Sequence, residues 1–291
     1  MYLLFDLSVN SSIYAPFVHK IYVSFSGGKD STVLLHLVRS VLPNAPAVFT
    51  DTGLEFPEIK EFVKKQDNVI ILRPEMGFKQ VIEKYGYPLI SKQEAAKIRK
   101  LRHSKLSDRY RNYLLNGDER GRYGMLAKKW QYLIEAPFDI SEKCCDIMKK
   151  KPMKKYGKET GRVPIVGTMA CESRMRELVW YQHGCNMYDK RSAKSAPMSF
   201  WTEQDVLQYI KDNNLEYASI YGQIIEDNGK LRLSGLQRSG CVYCGFGCHL
   251  EKAPNRFQRL KQTHPKLWDY CMRKSGLNMR EVLEYIGVDV D

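Results

Sequence analysis

No apolar run in this sequence approaches the ~18 residues that a membrane-spanning helix needs. The best stretch, Val33 to Leu42, is broken by His36, Arg39 and Ser40. The first ten residues, MYLLFDLSVN, lack a basic region and a small-residue cleavage site, so no signal peptide is expected. Eight cysteines in 291 residues are too few for a disulfide scaffold. Repeats and low-complexity tracts are absent. These absences lead us to expect a soluble, cytoplasmic protein with no membrane partner. Acidic residues are also in short supply: 33 Asp and Glu face 46 Lys and Arg, a net charge of +13. That excess points to anionic partners such as nucleotides or nucleic acid. With 43% apolar and 27% charged residues, the chain is globular rather than disordered.

The hydrophobic pattern predicts alternating strands and helices. Residues 20–25 alternate, with Ile21, Val23 and Phe25 on one face. A glycine turn follows, then a helix with Leu34, Leu37, Val38 and Val41 on one side. Further strands are expected at Ala47–Thr50, Val69–Leu72 and Val163–Val166. A helix face of Phe78, Val81, Ile82 and Tyr85 is closed by Gly86. Such alternation argues for a parallel sheet with helices on both faces. The third and fourth strands stand about 90 residues apart, so an insertion with its own structure must lie between them. Near the other end, Thr202 is expected to cap a helix over 203–213, and Asn278 to start the last helix.

Three segments carry the chemistry at the strand ends. Ser26-Gly27-Gly28-Lys29-Asp30-Ser31-Thr32 lies between strand and helix. Paired glycines and a helix N-terminus suit phosphate, although Gly-Gly is also common in ordinary tight turns. Ser31 and Thr32 can donate hydroxyl hydrogen bonds there, and Lys29 can supply charge. Asp51 and Glu55 follow the second strand and could bind ribose hydroxyls or hold Mg2+ on phosphates. Arg174 and Arg176 follow the fourth and could clamp phosphate or sulfate. Each has a bland alternative as an N-cap or a surface ion pair. In an open α/β sheet, ligand lies beyond the carboxyl ends of the strands, where these segments meet.

Here the sequence resembles a known family. SFSGGKDST looks like the PP-loop of the ATP pyrophosphatase, or adenosine nucleotide α-hydrolase, superfamily. Asp51-Thr52-Gly53-Leu54-Glu55-Phe56-Pro57-Glu58 resembles the DTG-x-x-FPE segment of phosphoadenosine phosphosulfate (PAPS) reductase-like proteins. Gly167 to Arg176, with Glu172, Ser173 and Arg174 inside it, is similar to their G-x-x-x-x-E-S-x-x-R segment. Pro197 to Trp201 with Asp205-Val206 resembles their P-x-x-x-W-x-x-x-DV segment. The matches cover residues 20–250. The resemblance implies a doubly wound, mostly parallel five-stranded sheet, with a helical insertion and a small Cys-rich helical C-terminal region. The nucleotide-binding α/β domain would hold residues 1–90 and 160–205, the basic insertion 91–159, and the Cys-rich region 206–291. The nucleotide would touch Ser24, Ser26, Gly27, Gly28, Lys29, Asp30, Ser31, Thr32, Asp51, Thr52, Gly53, Glu55, Gly167, Glu172, Ser173, Arg174 and Arg176. Lys29, Asp51 and Arg176 would be the catalytic members.

The cysteines are grouped. Cys144-Cys145 and the CxxC of Cys241 and Cys244 resemble the set that holds a [4Fe–4S] cluster in iron–sulfur sulfonucleotide reductases. Four thiolates are the right number. Zinc and unmetallated thiols stay as alternatives, and Cys248 could replace one ligand or serve as a nucleophile with His249. Cys171 and Cys185 are expected to be buried, small apolar residues. The family's reductases carry a nucleophilic cysteine in an ECG-x-H tail, and this sequence ends EVLEYIGVDVD, which puts reductase chemistry in doubt.

Residues 91–130 carry 12 Lys and Arg against 4 Asp and Glu, with Tyr110, Tyr113, Tyr123 and Trp130 interleaved. Such a run is either a solvated helix face or a surface that follows a phosphate backbone and stacks bases. Three functions are therefore carried forward. One is ATP-dependent sulfur transfer, with adenylation and pyrophosphate release, DNA or RNA as acceptor, and a sulfur donor such as a cysteine desulfurase. The second is a reductase that releases sulfite from PAPS or adenylyl sulfate. The third is a non-catalytic nucleotide- or nucleic-acid-binding module.

Overall fold

A computed structural model describes residues 20–188 and 193–291. The reading of the first ten residues lies outside them. In chain order the elements begin with β1 (Ile21–Ser24), α1 (Lys29–Val41), β2 (Ala47–Thr50), α2 (Pro57–Lys64), β3 (Val69–Leu72), α3 (Phe78–Tyr85) and β4 (Leu89–Ile90). The insertion then supplies α4 (Lys92–His103), α5 (Asp108–Asn116), a 3-10 turn at Lys128–Glu135 and the short α6 (Lys143–Cys145). Next come α7 (Lys151–Thr160), β5 (Val163–Ile165), α8 (Arg174–His183), β6 (Asn186–Met187), β7 (Lys194–Ser195) and α9 (Glu203–Asp212). The chain closes with β8 (Ile224–Asp227), β9 (Lys230–Leu233), β10 (Gly245–Phe246), α10 (Arg256–Thr263), α11 (Pro265–Met272) and α12 (Met279–Tyr285). Among the described residues, no helix is long and apolar enough to cross a membrane.

The described residues cluster into two compact units, and neither is continuous in sequence. The first contains the residues up to Asp51, then Glu55–Pro74 and Lys151–Gly240; the second contains Thr52–Leu54, Glu75–Lys150 and Cys241–Asp291.

The first unit is an α/β fold around a six-stranded sheet of order β3-β2-β1-β5-β7-β6. The five strands β3, β2, β1, β5 and β7 are parallel, as expected. A sixth, β6, adds an antiparallel edge. Neither β6 nor β7 was predicted by the hydrophobic pattern; each is two residues long, too short for a period-2 signal. Alternation in the strands sorts the residues to two faces. Val23, Phe25, Ala47 and Phe49 face a core shared with Leu34, Leu37 and Val38 of α1, Ile59, Phe62 and Val63 of α2, and Val206, Leu207 and Ile210 of α9. Tyr22 faces the other side and meets Tyr156 of α7 edge-on, at 5.2 Å between ring centres. Helices therefore lie on both faces; β1 and β2 are the buried strands, while the edge strand β3 leaves Ile71 exposed. A hairpin of β8 and β9 completes the unit, turning at Asn228 and Gly229, both at positive φ.

The second unit is organised by the segment Tyr87–Ile90. Tyr87 bridges Ile140 in parallel, and Ser141 N–H donates to the Tyr87 carbonyl at 3.0 Å. β4 pairs with β10, Leu89 against Gly245 and Ile90 against Phe246. One short stretch of chain thus takes α6 on one flank and the CxxC turn on the other.

Candidate functional site

The loop between β1 and α1 is shaped by its glycines. Gly27 has φ +71°, the left-handed region, and a Cβ there would stand 2.6 Å from Val63 Cγ2 and 2.8 Å from Ile59 Cγ2. No other residue fits without moving α2. Gly28 is the N-cap of α1, in ordinary extended backbone, and has no side chain to cap the helix. The Tyr221 phenol takes the first amide, Lys29 N–H, at 3.4 Å, and the amides behind it keep the anion-binding character of a helix N-terminus.

The hydroxyls of the loop turn inward. Ser31 Oγ and Thr32 Oγ1 donate to the Gly28 carbonyl at 2.9 and 3.0 Å, and Ser26 Oγ lies 3.0 Å from Ser31 Oγ. First-turn Ser and Thr readily find such backbone partners, so these side chains fix the loop's shape instead of pointing to a ligand as expected. Lys29 is only 3% exposed; its ammonium pairs with Asp30 at 3.0 Å and with Glu203 of α9 at 3.3 Å.

The segment after β5 comes against this loop. A Cβ on Gly167 would lie 3.4 Å from the Asp30 carbonyl oxygen. Ser173 caps α8, accepting from Arg176 N–H at 3.4 Å. Glu172 accepts from Met169 N–H at 3.1 Å, pairs with Arg176, and has Arg238 at 3.7 Å. Burial, and then the charge of Arg238, hold the Arg176 guanidinium below its usual range. Arg176 and Arg238 beside Glu172, with Asp30 also within reach of Arg176, put guanidinium donors suited to an anion in this corner. Arg174 is exposed. Asp51, at the end of β2, donates its N–H to Leu72 and pairs its carboxylate with Lys60 at 2.6 Å. Ser24 ends β1, and Glu55 belongs to the first unit. Thr52 and Gly53 belong to the second, where Thr52 Oγ1 accepts from Leu54 N–H at 3.2 Å.

Three groups on the loop were not read from the sequence: Glu203, Tyr221 and Ser239. Tyr221 is 1% exposed, and its phenol oxygen accepts from Lys29 N–H at 3.4 Å and touches Ser239 Oγ. Glu203 lies inside the segment from Pro197 to Val206 and could have been found from its acidic place in the first turn of α9. Tyr221 and Ser239 carry no local signal, because tertiary packing alone brings them to Gly28.

The four cysteines meet in the second unit. Cys144 and Cys145 hydrogen-bond through their sulfurs at 3.9 Å. Cys241 and Cys244 span a turn closed by Cys244 N–H to the Cys241 carbonyl at 3.1 Å. All four lie within electrostatic reach of one another. The hydrogen bond from Cys144, with help from Lys92 and Lys149, lowers Cys145 to about 5. Burial raises Cys241 to about 11 despite Lys149, which hydrogen-bonds to it. Among the described residues, no three His, Cys, Asp or Glu side chains close on one point as the shell of a single ion would. A cubane asks for something else, one thiolate on each of four irons. An all-cysteine set with two lysines to offset its negative charge fits that group. Cys248 differs. It is buried, its thiol donates to the Gly245 carbonyl at 2.9 Å, and burial pushes it up to about 12. A thiol held protonated is a poor nucleophile, so the structure favours a packing role. Cys171 and Cys185 are not the buried residues expected: Cys171 is exposed and Cys185 half-buried. Both follow the β5 side of the sheet, where α8 buries none of its residues.

The basic segment is also redistributed. Lys97 bonds Glu94 and the Met125 carbonyl, Arg99 forks onto Glu142, and Arg102 bonds the Phe138 carbonyl and Asp139. These bases hold the insertion together. Arg109, Arg120 and Arg122 are exposed on α5 and the following turn, beside Tyr110, Tyr113 and Tyr123. Tyr110 and Tyr113 stack at 6.2 Å.

An uncharacterized protein of Methanocaldococcus jannaschii is 26% identical over 290 residues, covering 96% of this chain; the chain spans about half of that relative's length, 54%. The adenosine 5'-phosphosulfate reductase of Lysinibacillus sphaericus is 25% identical over 238 residues, 79% of this chain and 76% of that one. Among solved structures, the PAPS reductase of Candida auris in its phosphate complex aligns at a TM-score of 0.40 and 15% identity, over 76% of this chain and 88% of that one. The family model for the phosphoadenosine phosphosulfate reductase domain matches residues 20–121 and 110–249, which include the glycine loop, the segment after β5 and all four grouped cysteines, and the chain belongs to that family.

Proposed function

We propose that the protein is a nucleotide-using iron–sulfur enzyme of sulfur metabolism. ATP would bind at the Gly27–Gly28 loop, with Mg2+ on its phosphates and Glu172, Arg176 and Arg238 at the anionic end. Cys144, Cys145, Cys241 and Cys244 would hold a [4Fe–4S] cluster, which supplies a redox-active or sulfur-handling centre when bound. The reaction would be activation followed by sulfur transfer. An acceptor oxygen attacks the α-phosphorus of ATP and pyrophosphate leaves. A donor sulfur then displaces AMP, which carries that oxygen away. The observation that carries nucleotide binding is the N-terminus of α1 behind the glycine turn, where the N-cap Gly28 has no side chain to cover the amides. The choice of a large, anionic acceptor rests on the exposed Arg109, Arg120, Arg122 and tyrosines of the insertion, which suit a nucleic acid.

A second reading is favoured by the likeness to an adenosine 5'-phosphosulfate reductase over 79% of the chain. In that case a sulfonucleotide would occupy the same loop and sulfite would be released. Product analysis of anaerobically prepared protein separates the two. AMP and pyrophosphate from ATP, increased by DNA or RNA, support transfer. Sulfite from PAPS or adenylyl sulfate, with ATP left intact, replaces it with the reductase.

A further inference from the structure

The hydroxyls of Tyr221 and Ser239 have one proton more than they can use. Tyr221 closes a 3-10 turn, Ser219–Tyr221, and its ring is packed in the core of the first unit. The turn is pinned by Gly235 N–H to the Tyr221 carbonyl at 2.9 Å and by Leu236 N–H to the Ile220 carbonyl at 3.1 Å. The phenol tip is thereby held on the loop, where a Cβ on Gly28 would stand 3.1 Å from Tyr221 Oη and 3.2 Å from Ser239 Oγ. Tyr221 Oη accepts one proton, from Lys29 N–H. Between the two hydroxyls there is one hydrogen bond. A phenol is a far stronger acid than an aliphatic hydroxyl, so Tyr221 donates and Ser239 accepts. Burial raises Tyr221 and keeps its proton in place. The Ser239 proton is then left over, with no acceptor among the described residues.

That leftover donor stands beside a helix N-terminus whose first amide donates to Tyr221 and whose own Ser31 and Thr32 hydroxyls are engaged with Gly28. The Lys29 ammonium is held by Asp30 and Glu203. We propose that Ser239 Oγ–H donates to a phosphate oxygen of the bound nucleotide, with Tyr221 as the positioning residue that orients it. The relay runs from Lys29 N–H through Tyr221 and Ser239 to the phosphate, and each donor polarises the next. The inference rests on the nucleotide reading of the loop and adds the group that reads the phosphate.

The test is a calorimetric titration of the full chain with ATP and, separately, adenosine. A hydrogen bond to a charged group is worth enough that Ser239→Ala should weaken ATP binding by about tenfold or more. Tyr221→Phe keeps the ring and removes the orienting hydroxyl, so it should weaken ATP binding in the same direction. Ser239→Thr should restore affinity. Adenosine, which has no phosphate, should bind all four proteins alike. Equal losses for adenosine and ATP would show a structural role and overturn the proposal. So would unchanged or tighter ATP binding in Ser239→Ala, since the hydroxyl would then be idle or a competitor of the phosphate. Gly28→Val separates the two levels of inference. If it abolishes ATP binding while Ser239→Ala does not, the nucleotide site stands and the Ser239 role fails. If the wild-type chain binds neither ATP nor PAPS nor adenylyl sulfate, both fail.

Discussion

Gly27 and Gly28 are neighbours, yet their substitution by alanine should act on different properties. At Gly27 the backbone is left-handed, at φ +71°, which costs a residue with a Cβ about 1–2 kcal/mol. The new methyl would also lie 2.6 Å from Val63 Cγ2 and 2.8 Å from Ile59 Cγ2, both in the buried core. Forcing an atom into packed side chains adds about 1–3 kcal/mol. Loss of glycine's freedom in the unfolded chain offsets about 0.4–1 kcal/mol. The net destabilisation is about 2–4 kcal/mol, which at an ordinary urea slope moves the midpoint by roughly 1–2 M. Gly28 has φ −78° and ψ 156°, open to any residue. Its new methyl would meet three hydroxyl oxygens at 3.1–3.3 Å, two of them on serines that can rotate. Gly28→Ala should therefore stay within about 1 kcal/mol of wild type. It should nevertheless lose nucleotide affinity, because the methyl fills the approach to the loop. Urea unfolding and calorimetry on both variants check this. If Gly27→Ala unfolds at the wild-type urea concentration, or Gly28→Ala binds ATP undiminished, the account of the loop is wrong.

Three further outcomes follow from the same structure. Cys145→Ser and Cys241→Ser should lose iron and inorganic sulfide on anaerobic purification, whereas Cys248→Ser, whose thiol serves the Gly245 carbonyl, should retain both; iron loss in the Cys248 variant alone would move the ligand set. Reversing Arg109, Arg120 and Arg122 to Glu should abolish low-salt retention of DNA or RNA on filters without moving the urea midpoint, because these side chains are exposed. The same reversal at Lys97, Arg99 and Arg102 should destabilise the fold, since their partners Glu94, Glu142 and Asp139 would be left facing like charge; the opposite pattern would refute this assignment. Burial, then the neighbouring Tyr156, pushes the Tyr22 phenol up to about 12 from an ordinary 10. The folded state therefore holds this proton more tightly, and the stabilisation is complete below pH 10 and lost as pH rises through about 12. Tyr22→Phe should flatten that alkaline limb of the urea midpoint, and an unchanged limb would assign it to other groups.

Local chemistry made much of this protein legible in advance. Ala47–Thr50 and Val69–Leu72 lie where the apolar runs put them, because short runs of β-branched and aromatic residues favour strands whether central and buried, as β2, or at the edge, as β3. Thr202 caps α9 and Gly86 ends α3 as expected, since capping is settled within four residues of chain. The glycine turn before Lys29 was readable for the same reason. The β8–β9 hairpin was not anticipated, although its Asn228–Gly229 turn has positive φ at both residues, a local requirement that Asn-Gly meets. Long-range pairing was a different matter. That residues 206–240 join the sheet unit while 241–291 join the insertion depends on contacts between segments far apart in the chain. The meeting of Cys144 and Cys145 with Cys241 and Cys244 depends on β4 taking β10 on one side and Ile140 on the other. Whether Arg99 faces solvent or Glu142, and whether Ser31 faces a ligand or Gly28, turns on partners that charge counts and motif spacing do not name. Tyr221 reaches Gly28 across 192 residues of chain from Lys29, and only the packing of the folded core selects that contact from the many a flexible chain could make.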